Sequence, residues 1–193
     1  MWTMFTSIVI AAIYALVISN YIILFTSVIV GVILVMPYFF KWKYNLAIPM
    51  EVELVILIFI YATLFLGEAL SFYHHFWWWD LVLHVGSAII FGFVGFIVLY
   101  YLYAHHQVES KAYTLALFSF SFAIAIGVIW EIFEFFMDSS FGFNMQKSGL
   151  VDTMGDLIVD SLGALLAASI GYFYLRVKHT LVFKDVVMKI IKR

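Results

Sequence analysis

No charged residue occurs from Met1 to Phe40, a stretch long enough for two apolar helices. Ser19 and Asn20 interrupt it, and both residue types favour turns, so the chain is expected to reverse there. A bilayer-spanning helix needs about 20 mostly apolar residues. On that measure residues 1–18 and 21–40 form the first two spans, followed by 50–70, 78–103, 112–137 and 151–175. The N-terminal run lacks the basic leading region and small-residue cleavage site of a signal peptide, so it reads as a span. Residues 181–193 are too short and too charged to cross. Their Lys184, Asp185, Lys189, Lys192 and Arg193 fall within one half of a helical wheel, which predicts an amphipathic helix lying at the interface. The pattern therefore predicts an all-α, polytopic membrane helix bundle. Six transmembrane helices occupy 1–177, and a basic amphipathic tail occupies 178–193. No internal repeat or separate domain is visible.

Composition turns this pattern into an exclusion. Of 193 residues, 66% are hydrophobic, 20% aromatic and 11% charged, where soluble domains carry about 45–50% apolar and about 25% charged residues. A single soluble core is ruled out. A net charge of -2 without a basic face argues against nucleic-acid binding. The absence of cysteine removes disulfides, thiolate metal sites and thiol catalysis.

With six spans, successive connections alternate sides. Lys41, Lys43, Lys111, Arg176, Lys178, Lys184, Lys189, Lys192 and Arg193 then share one side and leave only Lys147 on the other. The positive-inside rule makes the first side cytoplasmic, with both termini there and the protein in the cell membrane. Trp77, Trp78 and Trp79 would mark the outer interface, and Trp42, Tyr44, Tyr100, Tyr101 and Tyr103 the inner one. Gly163, Ala167 and Gly171 recur every four residues and give the sixth span a small face for close helix packing.

The acids are sorted too. Glu51, Glu53, Glu109 and Asp185 fall on the cytoplasmic side, whereas Glu68, Asp80, Glu131, Glu134, Asp138, Asp152, Asp156 and Asp160 fall in the outer half. Asp80 and His84 are four apart and share a helix face. Glu131, Glu134 and Asp138 form a second stripe, and Asp152, Asp156 and Asp160 a third. An Asp at mid-bilayer costs about 2.5–3.5 kcal/mol even on insertion scales, and like charges repel. The outer side has no arginine to pair with these acids. Either several carboxyls are protonated or cations bind among them. Carboxylates with a nearby imidazole suit a divalent metal ion, Mg, Mn, Ca or Zn. The expected ligands are His84, Glu131, Glu134, Asp156 and Asp160, with Asp80 or Glu134 as a catalytic general base. His74 and His75 are expected in an interfacial loop, within reach of the cluster. Glu68 is balanced between solvent and site. Asp138 and Asp152 read as solvated helix-end residues, Asp152 as an N-cap, and His105, His106 and His179 read as solvated on the cytoplasmic side.

The stripes also carry a resemblance. Trp79-Asp80-Leu81-Val82-Leu83-His84 resembles the W-D-x-x-x-H helix start of the uncharacterised YjdF-like bacterial inner-membrane family. Trp130-Glu131-Ile132-Phe133-Glu134 resembles that family's E-x-x-E helix, and Asp152 and Asp156 with Gly163-Ala164-Leu165 its D-x-x-x-D…G-A-L ending. The same order is more distantly similar to VanZ-like proteins, whose last element would fall on Asp156, Asp160 and Gly163. In that alignment Lys147 would stand for a basic residue often seen before it. The resemblance covers about Trp77 to Ala168 and leaves the first two spans unmatched. It implies a shared fold and site, with no settled activity to carry over; the VanZ link to glycopeptide resistance points to the cell envelope.

Three functions compete. A metal-dependent enzyme would act on a lipid or lipid-linked substrate at the outer leaflet, with membrane lipids as its surroundings. It would have no glycine-rich phosphate loop, arginine clamp or G-x-S-x-G elbow to help. A non-catalytic envelope or lipid-binding protein would use cations to hold its bundle or its cavity to bind a lipid headgroup. A cation- or proton-coupled transporter would need a polar route to both faces. Apart from Glu51 and Glu53 at the inner end of the third span, the inner halves of spans three to six hold no charged residue to line one, and Pro37 and Pro49 lie away from the acidic helices.

Overall fold

A computed structural model of the protein describes residues 2–44, 50–104, 106–107 and 110–176, and every regular element among them is helical. In chain order these are α1 (Trp2–Val17), α2 (Tyr21–Tyr44), α3 (Met50–Ile60), a π-helix continuing it over Tyr61–Ala69, the single turn α4 (Phe72–His75), α5 (Trp79–Ala104), α6 (Ala112–Phe141) and α7 (Leu150–Arg176). Met50–Ala69, Trp79–Tyr103, Ala112–Phe141 and Leu150–Arg176 are long and apolar enough to cross a bilayer. Thr3–Val17 and Ile23–Met36 are shorter apolar stretches. The expected amphipathic helix at 181–193 lies outside the described residues, as do His105, Glu109 and His179.

The chain packs as two compact units, divided between Trp79 and Asp80. In the first, the chain reverses at Ser19 and Asn20. Ser19 takes a left-handed φ of 56°, and the Asn20 side chain accepts a hydrogen bond from the Ile23 N–H at 3.1 Å, capping α2. Its core is aliphatic and aromatic: Ile8, Val30, Leu34, Leu57, Phe65 and Ala69 are buried together. A hydroxyl pair, Ser7 Oγ and Tyr61 OH at 2.6 Å, ties α1 to the π-helix. Within the π segment the Thr63 hydroxyl donates to the carbonyls of Phe59 and Ile60. Glu53, expected among the cytoplasmic-side acids, is buried in the first turns of α3.

The second unit is built from close approaches. The small face of α7 meets α5: a Cβ at Gly163 would stand 2.7 Å from the Val85 carbonyl oxygen, and Ala167 lies against Gly92. Ser119 of α6 donates to the Gly92 carbonyl of α5 at 2.7 Å, fully buried. α6 runs to Phe141, past the expected end at Met137, and closes at Gly142 with φ 69°. Within this extra turn the Ser139 hydroxyl bonds back to the Phe135 carbonyl. The loop 142–149 ends at Gly149, also left-handed at φ 62°, and α7 begins at Leu150. Asp152 therefore lies inside the first turn of α7 and is not its N-cap; the Gly149 carbonyl already accepts the Thr153 N–H at 3.1 Å.

Candidate functional site

The N-terminal end of α5, the C-terminal third of α6 and the N-terminal half of α7 meet at one end of the second unit. His84 is five residues into α5, about 7.5 Å along the axis, and Asp160 is ten residues into α7, about 15 Å along. Both sit well below the helix ends. His84, Glu131, Asp156 and Asp160 are respectively 7%, 5%, 2% and 1% exposed, so water cannot screen them.

His84 is the hub. Its Nδ1 faces Asp160 Oδ2 at 3.4 Å, the long end of a hydrogen bond. Its Nε2 lies 3.9 Å from both Asp80 Oδ1 and Glu131 Oε1. Two groups can bring one ligand atom from each residue within 4.8 Å of one another: His84, Glu131 and Asp156, and Asp80, Asp152 and Asp156. Glu131 Oε1, Asp160 Oδ1 and Asp152 Oδ2 are buried without a hydrogen-bond partner. Asp160 also explains Gly127 on α6, where a Cβ would collide with the Asp160 carboxylate.

The structure sorts the expected residues. His84, Glu131 and Asp156 form one group, with Asp160 on the opposite edge of the imidazole. Asp80 joins the second group and is paired through Oδ2 with Lys147 Nζ at 2.7 Å. Glu134, expected both as ligand and base, is buried but falls in neither group; its Oε1 accepts the Trp130 indole N–H at 2.9 Å. Glu68, His74, His75 and His106 are exposed, and His75 Nδ1 is 2.8 Å from the Ser71 carbonyl.

Two expectations need correction. Asp138 is not a solvated helix end: its carboxylate accepts the N–H groups of Met145 at 2.7 Å and Gln146 at 2.8 Å, which folds the α6–α7 loop back on α6. Asp152 is half-buried with one oxygen sealed from solvent, and it belongs to the second group. Protonation and bound cations are also not the sole compensations, because Lys147 supplies charge from within the chain. Gln146 had no sequence signal. Its amide donates to Thr153 Oγ1 at 2.7 Å and reaches the Glu131 carboxylate at 3.5 Å, bridging α6 and α7.

Comparison with known proteins agrees with the membrane reading. An uncharacterized protein of Thermotoga maritima is 31% identical over 141 residues, which cover 70% of this chain and 69% of that one. No solved structure matches. A family described as a predicted membrane protein, DUF2238, matches residues 1–177, and it is the family that the YjdF-like motifs resemble. The chain belongs to this family of membrane proteins.

Proposed function

We propose that the protein holds a divalent cation at the outward end of α5, α6 and α7 and uses it in metal-dependent chemistry on a lipid or lipid-linked envelope substrate. The observation that carries this is the setting of His84. One edge of the ring faces Asp160, the other faces Glu131 and Asp80, and the Glu131 Oε1 beside it is buried with no hydrogen-bond partner. An unmet buried polar atom costs about 1–3 kcal/mol, and more if charged. A cation between His84 Nε2, Glu131 and Asp156 offsets that cost. Asp160 then orients the imidazole by accepting its Nδ1–H, as the outer partners of metal-bound histidines do.

Three protein ligands leave coordination positions open, the pattern of catalytic rather than structural zinc sites. Nitrogen and oxygen donors suit Mg, Mn, Ca or Zn. When bound, the ion would supply Lewis acidity toward a phosphoryl or acyl oxygen. Asp80 presents Oδ1 toward the same edge of His84 and serves as general base, while Lys147 holds its Oδ2. Glu134, committed to Trp130, takes neither role. The lipid substrate class is part of the proposal because the acids lie on membrane-spanning helices, with Trp130, Ile132, Phe133 and Phe135 exposed along the same stretch of α6.

Six spans, cytoplasmic termini and an interfacial C-terminal helix belong to the same proposal, on the strength of the one-sided lysines and arginines. A distant kinship with VanZ-like proteins rests on the order of Asp156, Asp160 and Gly163. A second reading, in which the cation only staples the bundle, is favoured by the α6–α7 loop, tied down through Asp138, Gln146 and Lys147.

The test is metal analysis of detergent-purified protein beside Glu131→Gln and Asp156→Asn. Stoichiometric metal in the wild type, lost in both variants with the fold intact, is the expected result. Metal-free, folded wild type would sink the proposal. Because the chain has no cysteine, Ser140→Cys and Gln107→Cys test orientation. An impermeant thiol reagent should label the first and spare the second in intact cells.

A further inference from the structure

The two ligand groups share Asp156, so the site has the outline of a two-ion centre bridged by one carboxylate. Divalent ions about 3.5–4 Å apart are a recurring arrangement in hydrolytic enzymes. The second group differs from the first in one respect. The Lys147 ammonium sits 2.7 Å from Asp80 Oδ2. One of the three residues that would hold a second ion therefore already faces a cation.

The loop that delivers Lys147 is held from several directions. Asp138 binds the backbone of Met145 and Gln146, the residues just before the lysine, and Gln146 is pinned to Thr153. The ends of the loop turn through left-handed glycines, Gly142 and Gly149. Lys147 is thus placed by a built loop, and its side chain is only 28% exposed. A second divalent ion at Asp80, Asp152 and Asp156 would have to displace an ammonium tethered 2.7 Å from Asp80 Oδ2.

We infer that the Lys147 ammonium takes the place of a second metal ion, so that the wild-type centre accepts one divalent cation and the tethered lysine fixes that number. The inference rests on the cation-binding reading above and specifies its stoichiometry. Lys147 acts here as a positioning residue: it sets the occupancy of the Asp80, Asp152 and Asp156 group without ligating the first ion.

The test uses the full-length protein in detergent, titrated with Mn2+ alone. Wild type is compared with Lys147→Met, which keeps the stem, Lys147→Ala and Lys147→Arg. Metal content is read together with the electron paramagnetic resonance spectrum. Wild type and Lys147→Arg should bind one Mn2+ with a mononuclear spectrum. Lys147→Met and Lys147→Ala should bind two, with the exchange-coupled signal of a close pair; a merely structural lysine would not produce that signal. One ion in the neutral variants, or two in the wild type, overturns the inference while leaving the cation site standing. No Mn2+ in folded wild type, with none of the other divalent ions found on it, overturns the cation-binding reading itself.

Discussion

The first unit, around Phe65 and Leu34, and the second, around His84 and Asp160, hold their helices by different means. In the first, large apolar side chains fill the core, and the Ser7–Tyr61 hydroxyl pair joins α1 to the π-helix. In the second, small residues let backbones touch and a buried polar cluster joins three helices. Lipid tails are as apolar as leucine, so apolar surface alone does little to choose protein over lipid. Shape complementarity has to hold the first unit. Close approach and polar contacts hold the second, and those contacts are what chemistry can use.

The largest expected effect is in the apolar region. Phe65 is fully buried and packs on Tyr61 with ring centroids 5.0 Å apart. Phe65→Ala in a soluble core would cost about 3–5 kcal/mol; with lipid to solvate the separated helices, the loss should fall near the lower end. Thermal unfolding in detergent would show it, and metal content should be unchanged. Loss of metal in that variant would break the distinction between the two regions.

Gly163→Val probes the other mechanism. Its Cβ would meet the Val85 carbonyl oxygen at 2.7 Å, backbone that no rotamer change can move. Overpacking typically costs about 1–3 kcal/mol. Here it should also separate α5 from α7, the helices that carry His84 and Asp156, so metal should fall together with stability. A variant that loses stability and keeps full metal affinity would show that the small face and the site are independent.

What the sequence reveals follows the same division. The helices of the second unit, the small face of α7 and the acidic stripes along α5, α6 and α7 are legible because each depends on a local period of three or four residues. The π-helix is not legible, because a widened helical turn leaves no trace in an apolar pattern. The Lys147–Asp80 pair spans 67 positions and depends on a loop that Asp138 folds back, so no spacing rule reaches it. Asp152 looked like a cap because helix starts favour aspartate; the start falls three residues earlier, after a left-handed Gly149. Asp160 was legible as a site residue through its stripe. Its place on the Nδ1 edge of His84, 76 positions away, was not.

Asp160→Asn is the smallest of these changes and the sharpest test of that placement. The amide keeps the shape of the side chain, so the close approach to Gly127 survives and the fold should hold. Its oxygen can still accept the His84 Nδ1–H, but the negative charge behind the imidazole is gone. Loss of such an outer partner typically weakens metal affinity about 10–100-fold, equivalent to about 1.4–2.7 kcal/mol. Metal should remain bound at high concentration and dissociate on dilution, whereas Glu131→Gln should fail to bind at either. If Asp160→Asn instead loses metal as completely as Glu131→Gln, Asp160 is a ligand in its own right. The polar region would then hold its ion with every acid that reaches it, with no division between ligands and the residue that aims them.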